Sequence, residues 1–380
     1  MENALARIVG IATDPYSYVT QLKEERNSKV IGCFPMHIPE EIIHAADLLP
    51  VVIWRGDEPV TWGHSHVRPY NCGILRSFVD DAVKGKLSFM DGMVFHIRQC
   101  LPAQEPPLIM ERNLKLEYKK ILYMPPVYPG EAIRDFLVED LKSFQQSLED
   151  YTGKKIGDDK LRESIEVYNR NRDLMERVYA IRREKPDVLK ASLLMKIVFA
   201  GMVMPKEDHN VLLSEIIEGM EATRGEIGKG KLKVVPVGCL CQTPPFEVLD
   251  MIEDLGMIMP DDDLFVGSRY FANKVDHNGS PIEGLADRYL SKVPVCATKG
   301  IWDVHWGDEV IKKVKEVEAK GVISVLAKFC PPHTCYYPDF KNKLVEEGVP
   351  EVLIQVEHEM ISLEGIKTRL QSFAESIGGV

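Results

Sequence analysis

The chain has 380 residues, enough for about two or three domains of typical size. Hydrophobic residues make up 45% of it and charged residues 28%, as in an ordinary globular protein, and the net charge of -11 argues against general nucleic-acid binding. There is no apolar stretch of membrane-spanning length and no signal-peptide pattern. We therefore expect a cytoplasmic protein that binds neither nucleic acid nor membrane.

The first third of the chain alternates short apolar runs with amphipathic ones. After a helical leader over residues 1–28, strands are predicted at 29–34, 51–54, 92–97 and 120–124, and helices at 40–49 and 74–84. Strand–helix–strand order is typical of a parallel sheet.

The middle of the chain is predicted to be helical, and the last part again alternates strands with helices. Residues 131–226 show apolar positions at three- and four-residue spacing, which predicts helices. Strands are then predicted at 232–240, from 256, at 322–329 and at 352–356, with helices at 246–255, 311–320, 340–347 and 361–377. We predict an α/β fold with two parallel-sheet, flavodoxin- or Rossmann-like domains that face a cleft. The predicted domains are 1–130, an inserted helical region 131–226, and 227–380.

Cys330 stands at the carboxyl end of the predicted strand 322–329. Pro331 and Pro332 follow, and neither can continue a regular strand ladder. Parallel sheets bind their ligands outside the carboxyl ends of their strands. A thiol at this position is therefore expected to face the cleft.

Two more cysteines have comparable positions. Cys100 follows the strand 92–97, and Cys72 precedes the helix 74–84, where the helix dipole stabilises a thiolate. Disulfides are not expected in a cytoplasmic protein, and no CxxC pair is present. If the two halves face each other, Cys72, Cys100 and Cys330 could surround one inorganic cluster. The alternative is that each is a packed thiol.

The other cysteines leave more alternatives open. Cys239 and Cys241, on an extended backbone, would point to the same face and either line a pocket or pack in the core. Cys335 is a neighbouring ligand or a packed thiol, and Cys33 lies inside a strand and could line a pocket. There is no P-loop and no GxGxxG after a strand, so we expect neither ATP hydrolysis nor ordinary NAD binding.

Several phrases resemble a known family. The segments 31–46 and 48–51 are similar to the N-terminal signature of 2-hydroxyacyl-CoA dehydratase and benzoyl-CoA reductase subunits. Later signatures of that family resemble Asp261-Asp-Asp-Leu264 with Ser268-Arg-Tyr270, Lys328-Phe-Cys330 with Tyr337-Pro338, and the segment 366–373. The resemblance runs from the first strand to the last helix.

The resemblance implies a cofactor and partners. Such subunits contribute three cysteines to a [4Fe–4S] cluster, and the matching positions here are Cys72, Cys100 and Cys330. They work as pairs of unequal homologous subunits, of which this chain resembles the smaller. A separate iron–sulfur ATPase activator uses ATP to inject an electron, and an acyl-CoA thioester accepts it as a ketyl radical. Dehydratases then expel the neighbouring hydroxyl, whereas the benzoyl-CoA enzymes reduce the aromatic ring.

The chain departs from the dehydratase pattern at two of its cysteines. It has Cys100-Leu-Pro where dehydratase subunits have Cys-Asp, and Cys330-Pro-Pro-His-Thr-Cys335 where they carry acids. The phrases 75–77, 91–95 and 267–270 are more similar to the benzoyl-CoA reductase side. These departures leave open a non-standard or larger cluster that uses Cys335 or Cys241.

We therefore predict the cluster-carrying subunit of a benzoyl-CoA-reductase-like enzyme. The alternatives are a 2-hydroxyacyl-CoA dehydratase subunit, an electron-transfer or cluster-carrier protein without acyl-CoA turnover, and a partner with structural cysteines. We expect Cys33 to contact the cofactor, and His37, Glu40 and His333 to line the pocket as candidate catalytic residues. A carboxylate or imidazole there could deliver the proton that accompanies an electron.

Overall fold

A computed structural model of the chain describes residues 1–52, 58–97, 100, 104–128, 130–223, 230–239, 241–301, 304–360 and 362–378. In these ranges the strands are β1 (Val30–Phe34), β2 (Leu49–Val52), β3 (Gly92–Ile97), β4 (Tyr118–Tyr123), β5 (Val127–Tyr128), β6 (Leu232–Gly238), β7 (Met257–Ile258), β8 (Asp263–Leu264), β9 (Gly300–Ile301), β10 (Gly321–Ala327) and β11 (Glu351–Val356). The helices are α1 (Glu2–Thr13), α2 (Pro15–Arg26), α3 (Glu40–Ala45), α4 (Gly73–Val83), α5 (Pro106–Asn113), α6 (Glu131–Thr152), α7 (Asp158–Glu184), α8 (Ala191–Val203), α9 (Lys206–Ala222), α10 (Phe246–Asp254), α11 (Ser268–Phe271), α12 (Pro281–Asp287), α13 (Trp306–Glu316), α14 (Pro331–Glu346) and α15 (Glu364–Gly378).

Two parallel sheets form the frame of the molecule. The first has the strand order β2-β1-β3-β4, and the second has the order β11-β10-β6-β7, with β8 paired to the end of β6. Every residue of β1, β2 and β10 is buried, as expected for parallel strands covered on both faces. The predicted fold class, two parallel-sheet units with helices between them, is confirmed.

The helical segment lies between the two sheets along the chain. Helix α7 packs against α9 and α3, and α1 packs against α8, so the segment is in contact with the first sheet's helices. A short parallel pairing of β5 with β9 joins backbone from both halves. The division into domains at 130 and 226 stays a prediction, and residues 224–226 lie outside the described residues.

Several element boundaries differ from the predicted ones. Strand β10 ends at Ala327, and α14 begins at Pro331 rather than at 340, where the helix was expected. The two prolines open this helix, because its first N–H groups have no intrahelical partner and the fixed φ of proline suits the first turn. Helix α5 was not predicted. Residues 53 and 54 of a predicted strand, and residue 240 of another, lie outside the described ranges.

Among the described helices, none is both long enough and apolar enough to cross a membrane.

Candidate functional site

A cavity lies where the carboxyl ends of the two sheets meet. It encloses about 690 Å³ of space, including its opening to solvent. The lining comes from both halves of the chain: Phe34, Pro35, Met36, His37, Cys72, Ile74, Leu75, His96, Cys100, Cys241, Phe265, Thr298, Ala327, Cys330 and Pro331. The position agrees with the crevice expected outside the carboxyl ends of parallel strands.

The three predicted cluster ligands line this one cavity. Cys72 is the residue before the first turn of α4, Cys330 holds the same position before α14, and Cys100 follows β3. Cys330 is 5% exposed, and Cys72 and Cys100 are partly buried. Residues distant in sequence therefore bring three thiols to a common, largely apolar space.

A fourth thiol, that of Cys241, lines the same cavity. The expectation that Cys239 and Cys241 share one face of an extended backbone is wrong, because β6 ends at Gly238 and both cysteines have positive φ, 52° and 61°. Gly238 itself has φ 99°, and a Cβ there would lie 2.6 Å from the carbonyl oxygen of Val325. This turn buries Cys239 outside the cavity lining and leaves Cys241 in it.

The environment of the thiols disfavours the thiolate in the absence of a cation. Burial raises the pKa of Cys330 well above its ordinary value, and charge on Cys72 raises it further, while the backbone N–H of His333 opposes the rise. Burial also raises the pKa of Cys72, against the backbone N–H groups at the start of α4. A bound metal centre would replace the protons of these thiols.

These residues supply the donor atoms and surroundings that an iron–sulfur cluster takes. In the described part of the chain, no group of three or more His, Cys, Asp or Glu residues is arranged to hold a metal ion. A cubane is a larger object than one ion, because each thiolate binds a different iron at its surface. Sulfur donors, apolar walls and backbone N–H groups near Cys72 and Cys330 are the surroundings that such a cluster takes.

Helix α4, which carries Cys72, is held against the second half of the chain. The Arg76 guanidinium donates a 2.6 Å hydrogen bond to Glu357, which follows β11, and both side chains are largely buried. The backbone of Gly73 lies so close to His358 that an added Cβ would come within 2.6 Å of the His358 Cβ. The thiols of the two halves are thus fixed relative to each other.

The predicted histidines have different positions. His37 lines the cavity and has φ 73°. His333 is fully buried behind the wall, stacked on Trp306 at 5.5 Å, and it does not line the cavity. Burial lowers the pKa of His333 to about 3, so the ring is neutral. His96, which sequence analysis missed, lines the cavity from β3, and its only sequence signal was a polar residue within an apolar strand.

A second, polar pocket adjoins the cavity, and His37 lines both. We call it the acid–base pocket; its polar members are His37, Glu40, Glu41, Tyr168, Asn171, Arg172, Lys206, Tyr270 and Arg288. Glu40 accepts a 2.8 Å hydrogen bond from Tyr270 and lies 3.3 Å from the Lys206 ammonium. Both charged side chains of this pair are more than nine-tenths buried.

The remaining members extend this network. Glu41 pairs with Arg172, and Lys206 also donates to the carbonyl of Gly201. Cys33, expected to contact the cofactor, is fully buried in β1 and does not line the cavity. Burial raises the pKa of its thiol, and the charge of Glu40 raises it further.

The acidic phrase 261–263 is part of the scaffold. Asp263 accepts hydrogen bonds of 2.7 Å from Arg269 and from the Trp306 indole, all in the core. Asp262 accepts a 2.6 Å hydrogen bond from Tyr179, and its backbone leads into Phe265, which forms part of the cavity wall. These residues therefore fix the wall rather than supply ligands.

Comparison with known proteins places the chain among relatives of the same length. A benzoyl-CoA reductase subunit of Thauera aromatica is 28% identical over 366 residues, which cover 95% of this chain and 94% of that protein. The lactoyl-CoA dehydratase beta subunit of Anaerotignum propionicum is 28% identical over 380 residues, covering 99% of each chain. The (R)-phenyllactyl-CoA dehydratase beta subunit of Clostridium sporogenes is 25% identical over 371 residues, covering 97% and 96%.

The family model of the 2-hydroxyglutaryl-CoA dehydratase D-component matches residues 35–377, which include the second sheet, strands β2, β3 and β4 of the first sheet, and all four cavity cysteines. The chain therefore belongs to the 2-hydroxyglutaryl-CoA dehydratase D-component family.

Proposed function

We propose that this chain is the iron–sulfur subunit of an activator-dependent enzyme that reduces an acyl-CoA thioester by ketyl-radical chemistry, in the manner of benzoyl-CoA reductase. The observation that carries the proposal is the single cavity lined by Cys72, Cys100 and Cys330. Its support is the family membership and the similarity to a benzoyl-CoA reductase subunit over nearly the whole chain. The relatives are each named as one subunit of an enzyme, so we also propose a homologous partner subunit and a separate ATP-using activator.

The cluster, when bound, supplies one electron at low potential. The chain's own contribution is to hold it by three thiolates in a space walled by apolar side chains, including Phe34, Leu75 and Phe265. Burial and net charge tune the potential of such a cluster. Exclusion of water protects a reactive radical from side reactions, which apolar walls achieve.

Proton delivery is the part of the reaction that we assign to His37 and Glu40. His37 contacts both the cavity and the acid–base pocket, in which Glu40 is hydrogen-bonded by Tyr270 and paired with Lys206. A protonated group beside an electron acceptor can neutralise the negative charge that develops there. His333 has a different role in this proposal: its backbone N–H favours the thiolate of Cys330, and its ring fills the core.

A 2-hydroxyacyl-CoA dehydratase subunit is the second candidate. The 28% identity to the lactoyl-CoA dehydratase beta subunit, with 99% of both chains covered, favours it. Dehydratase and reductase share the first step, one-electron reduction of a thioester, and differ in what the radical does next.

Iron and acid-labile sulfide analysis of anaerobically purified protein tests the cluster. We expect about four irons per chain for a cubane, and fewer than about three in unreconstituted protein would contradict the proposal. Cys330→Ala should lose most of that iron. Cys335→Ala, on the same helix but exposed and outside the cavity lining, is the matched control and should keep it.

Turnover separates the two candidate reactions. The chain is combined with its partner subunit, the activator, reductant and ATP, and offered an aromatic acyl-CoA or a 2-hydroxyacyl-CoA. A dearomatised product supports the reductase. Product from the 2-hydroxyacyl thioester alone supports the dehydratase. If neither thioester is converted, the result supports an electron carrier without an acyl-CoA reaction of its own.

A further inference from the structure

We infer that Cys241 is a fourth thiolate ligand of the cluster, so that the site in this chain has no iron open to exchange. The inference rests on the proposed function, since it requires that Cys72, Cys100 and Cys330 hold a [4Fe–4S] cluster. Three thiolates leave one corner of a cubane to water or substrate, whereas four close it.

The sheet places Cys241 beside Cys330. Strands β6 and β10 are neighbours, and Gly238 is in register with Val325. Cys241 follows that register pair by three residues on one strand, and Cys330 follows it by five on the other. Both thiols therefore leave the carboxyl edge of the same sheet at neighbouring positions, and both line the same cavity.

The local backbone has an unusual conformation at this point. Gly238, Cys239 and Cys241 all have positive φ, a backbone conformation that a cysteine rarely adopts. The result is that Cys241 faces the cavity, while Cys239 does not line it. The other cysteines of the chain, Cys33, Cys296 and Cys335, do not line the cavity either. Of the five cysteines other than Cys72, Cys100 and Cys330, only Cys241 therefore lines the cavity.

Closed coordination has a chemical consequence. Binding of Cys241 releases its thiol proton and adds one negative charge to the cluster, which favours a lower potential. A thioester oxygen then has no vacant iron to bind at this cluster. An acyl-CoA in this cavity would then receive its electron from the cluster without becoming a ligand of one of its irons.

Mild oxidation of the purified, cluster-loaded chain distinguishes three thiolates from four. Ferricyanide removes one electron from [4Fe–4S]2+, and an iron without a thiolate then leaves as Fe2+, which gives [3Fe–4S]+. We expect the wild-type chain to keep its four irons and to show no [3Fe–4S] signal in electron paramagnetic resonance. Cys241→Ala should lose about one iron of every four on this oxidation and develop that signal, and before oxidation its [4Fe–4S] cluster should have a higher reduction potential than that of the wild type.

Cys335→Ala is the matched control and should behave as the wild type. Far-UV circular dichroism compares the folding of all variants. The wild-type result is decisive by itself, because formation of [3Fe–4S] in the unmodified chain overturns the inference. So does a folded Cys241→Ala protein that keeps its fourth iron. A wild-type chain that binds no iron overturns the proposed function as well, and this outcome is distinct from the other two.

Discussion

The buried pair of Lys206 and Glu40 offers a sharp test of the acid–base pocket. The ammonium and the carboxylate are 3.3 Å apart, with side chains 4% and 8% exposed. Lys206→Met removes the cation and leaves Glu40 with only the hydroxyl of Tyr270 among its contacts described above. An uncompensated buried charge costs about 3–5 kcal/mol, so we expect the free energy of unfolding to fall by that amount.

A double variant measures how strongly the two charges interact. Lys206→Met combined with Glu40→Gln removes both the ammonium and the carboxylate, and the Gln amide oxygen can still accept the hydrogen bond from Tyr270. The double variant should therefore be more stable than Lys206→Met alone, with a coupling energy of about 2 kcal/mol or more. Lys142→Met, which removes the exposed partner of Glu139, is the surface control and should leave the stability unchanged.

Urea unfolding followed by circular dichroism and by tryptophan fluorescence measures these changes as shifts in the midpoint. The two signals must coincide for the free energies to be meaningful in a chain of this size. If Lys206→Met costs less than about 1 kcal/mol, or if the two single effects simply add, the Lys206 ammonium does not stabilise the buried Glu40 carboxylate as their geometry indicates.

Three further predictions concern stability and pH. Burial lowers the pKa of His209 to about 3, whereas the unfolded chain takes up this proton at about 6.5, so the fold loses stability as pH falls below about 6.5. The free energy of unfolding should fall by about 2 kcal/mol between pH ~7 and ~5. In urea titrations His209→Gln should flatten that part of the pH dependence. Burial raises the pKa of Asp81 to about 6, so its carboxyl weakens the fold as pH rises from the unfolded pKa of about 3.8 to about 6. Asp81→Asn should therefore raise the free energy of unfolding near neutral pH by up to about 3 kcal/mol in thermal melts, and leave it nearly unchanged near pH ~3. A Cβ at Gly92 would lie 2.8 Å from the Tyr118 Cβ between packed strands, so Gly92→Ala should lower the free energy of unfolding in urea by about 1–3 kcal/mol. Gly10 has open space around it, so the control Gly10→Ala should not lower the free energy of unfolding.

The order of strands and helices could be predicted because buried parallel strands are continuous apolar runs. The segment 322–329 shows both the success and the limit. Its apolar character continues to Phe329, yet β10 ends at Ala327, since Phe329 has φ 60° and the chain turns there into α14. Hydrophobicity does not encode that turn. The two prolines predict the end of the strand ladder but not the helix that begins there, although proline suits the first turn of a helix.

The candidate site was predictable where it depends on strand ends and not where it depends on backbone conformation. Cys100 and Cys330 follow apolar strands, so their meeting at one sheet edge follows from parallel topology. Cys241 reaches the cavity only through positive φ angles after β6. Lys206, contributed by a helix more than 160 positions after Glu40, belongs to a long-range contact that no local pattern reveals.

The clamp between Arg76 and Glu357 has a consequence for the speed of electron transfer. That speed depends on how far atoms and solvent must rearrange when a charge arrives. Cys72 and Cys330 each precede a helix, and the ion pair, with side chains 8% and 22% exposed, joins the two halves that carry them. A carrier held there would gain its electron with little movement of its ligands and little nearby water to reorient. Weakening the clamp, for example by Arg76→Met, should therefore slow reduction by the proposed activator more than it lowers the iron content.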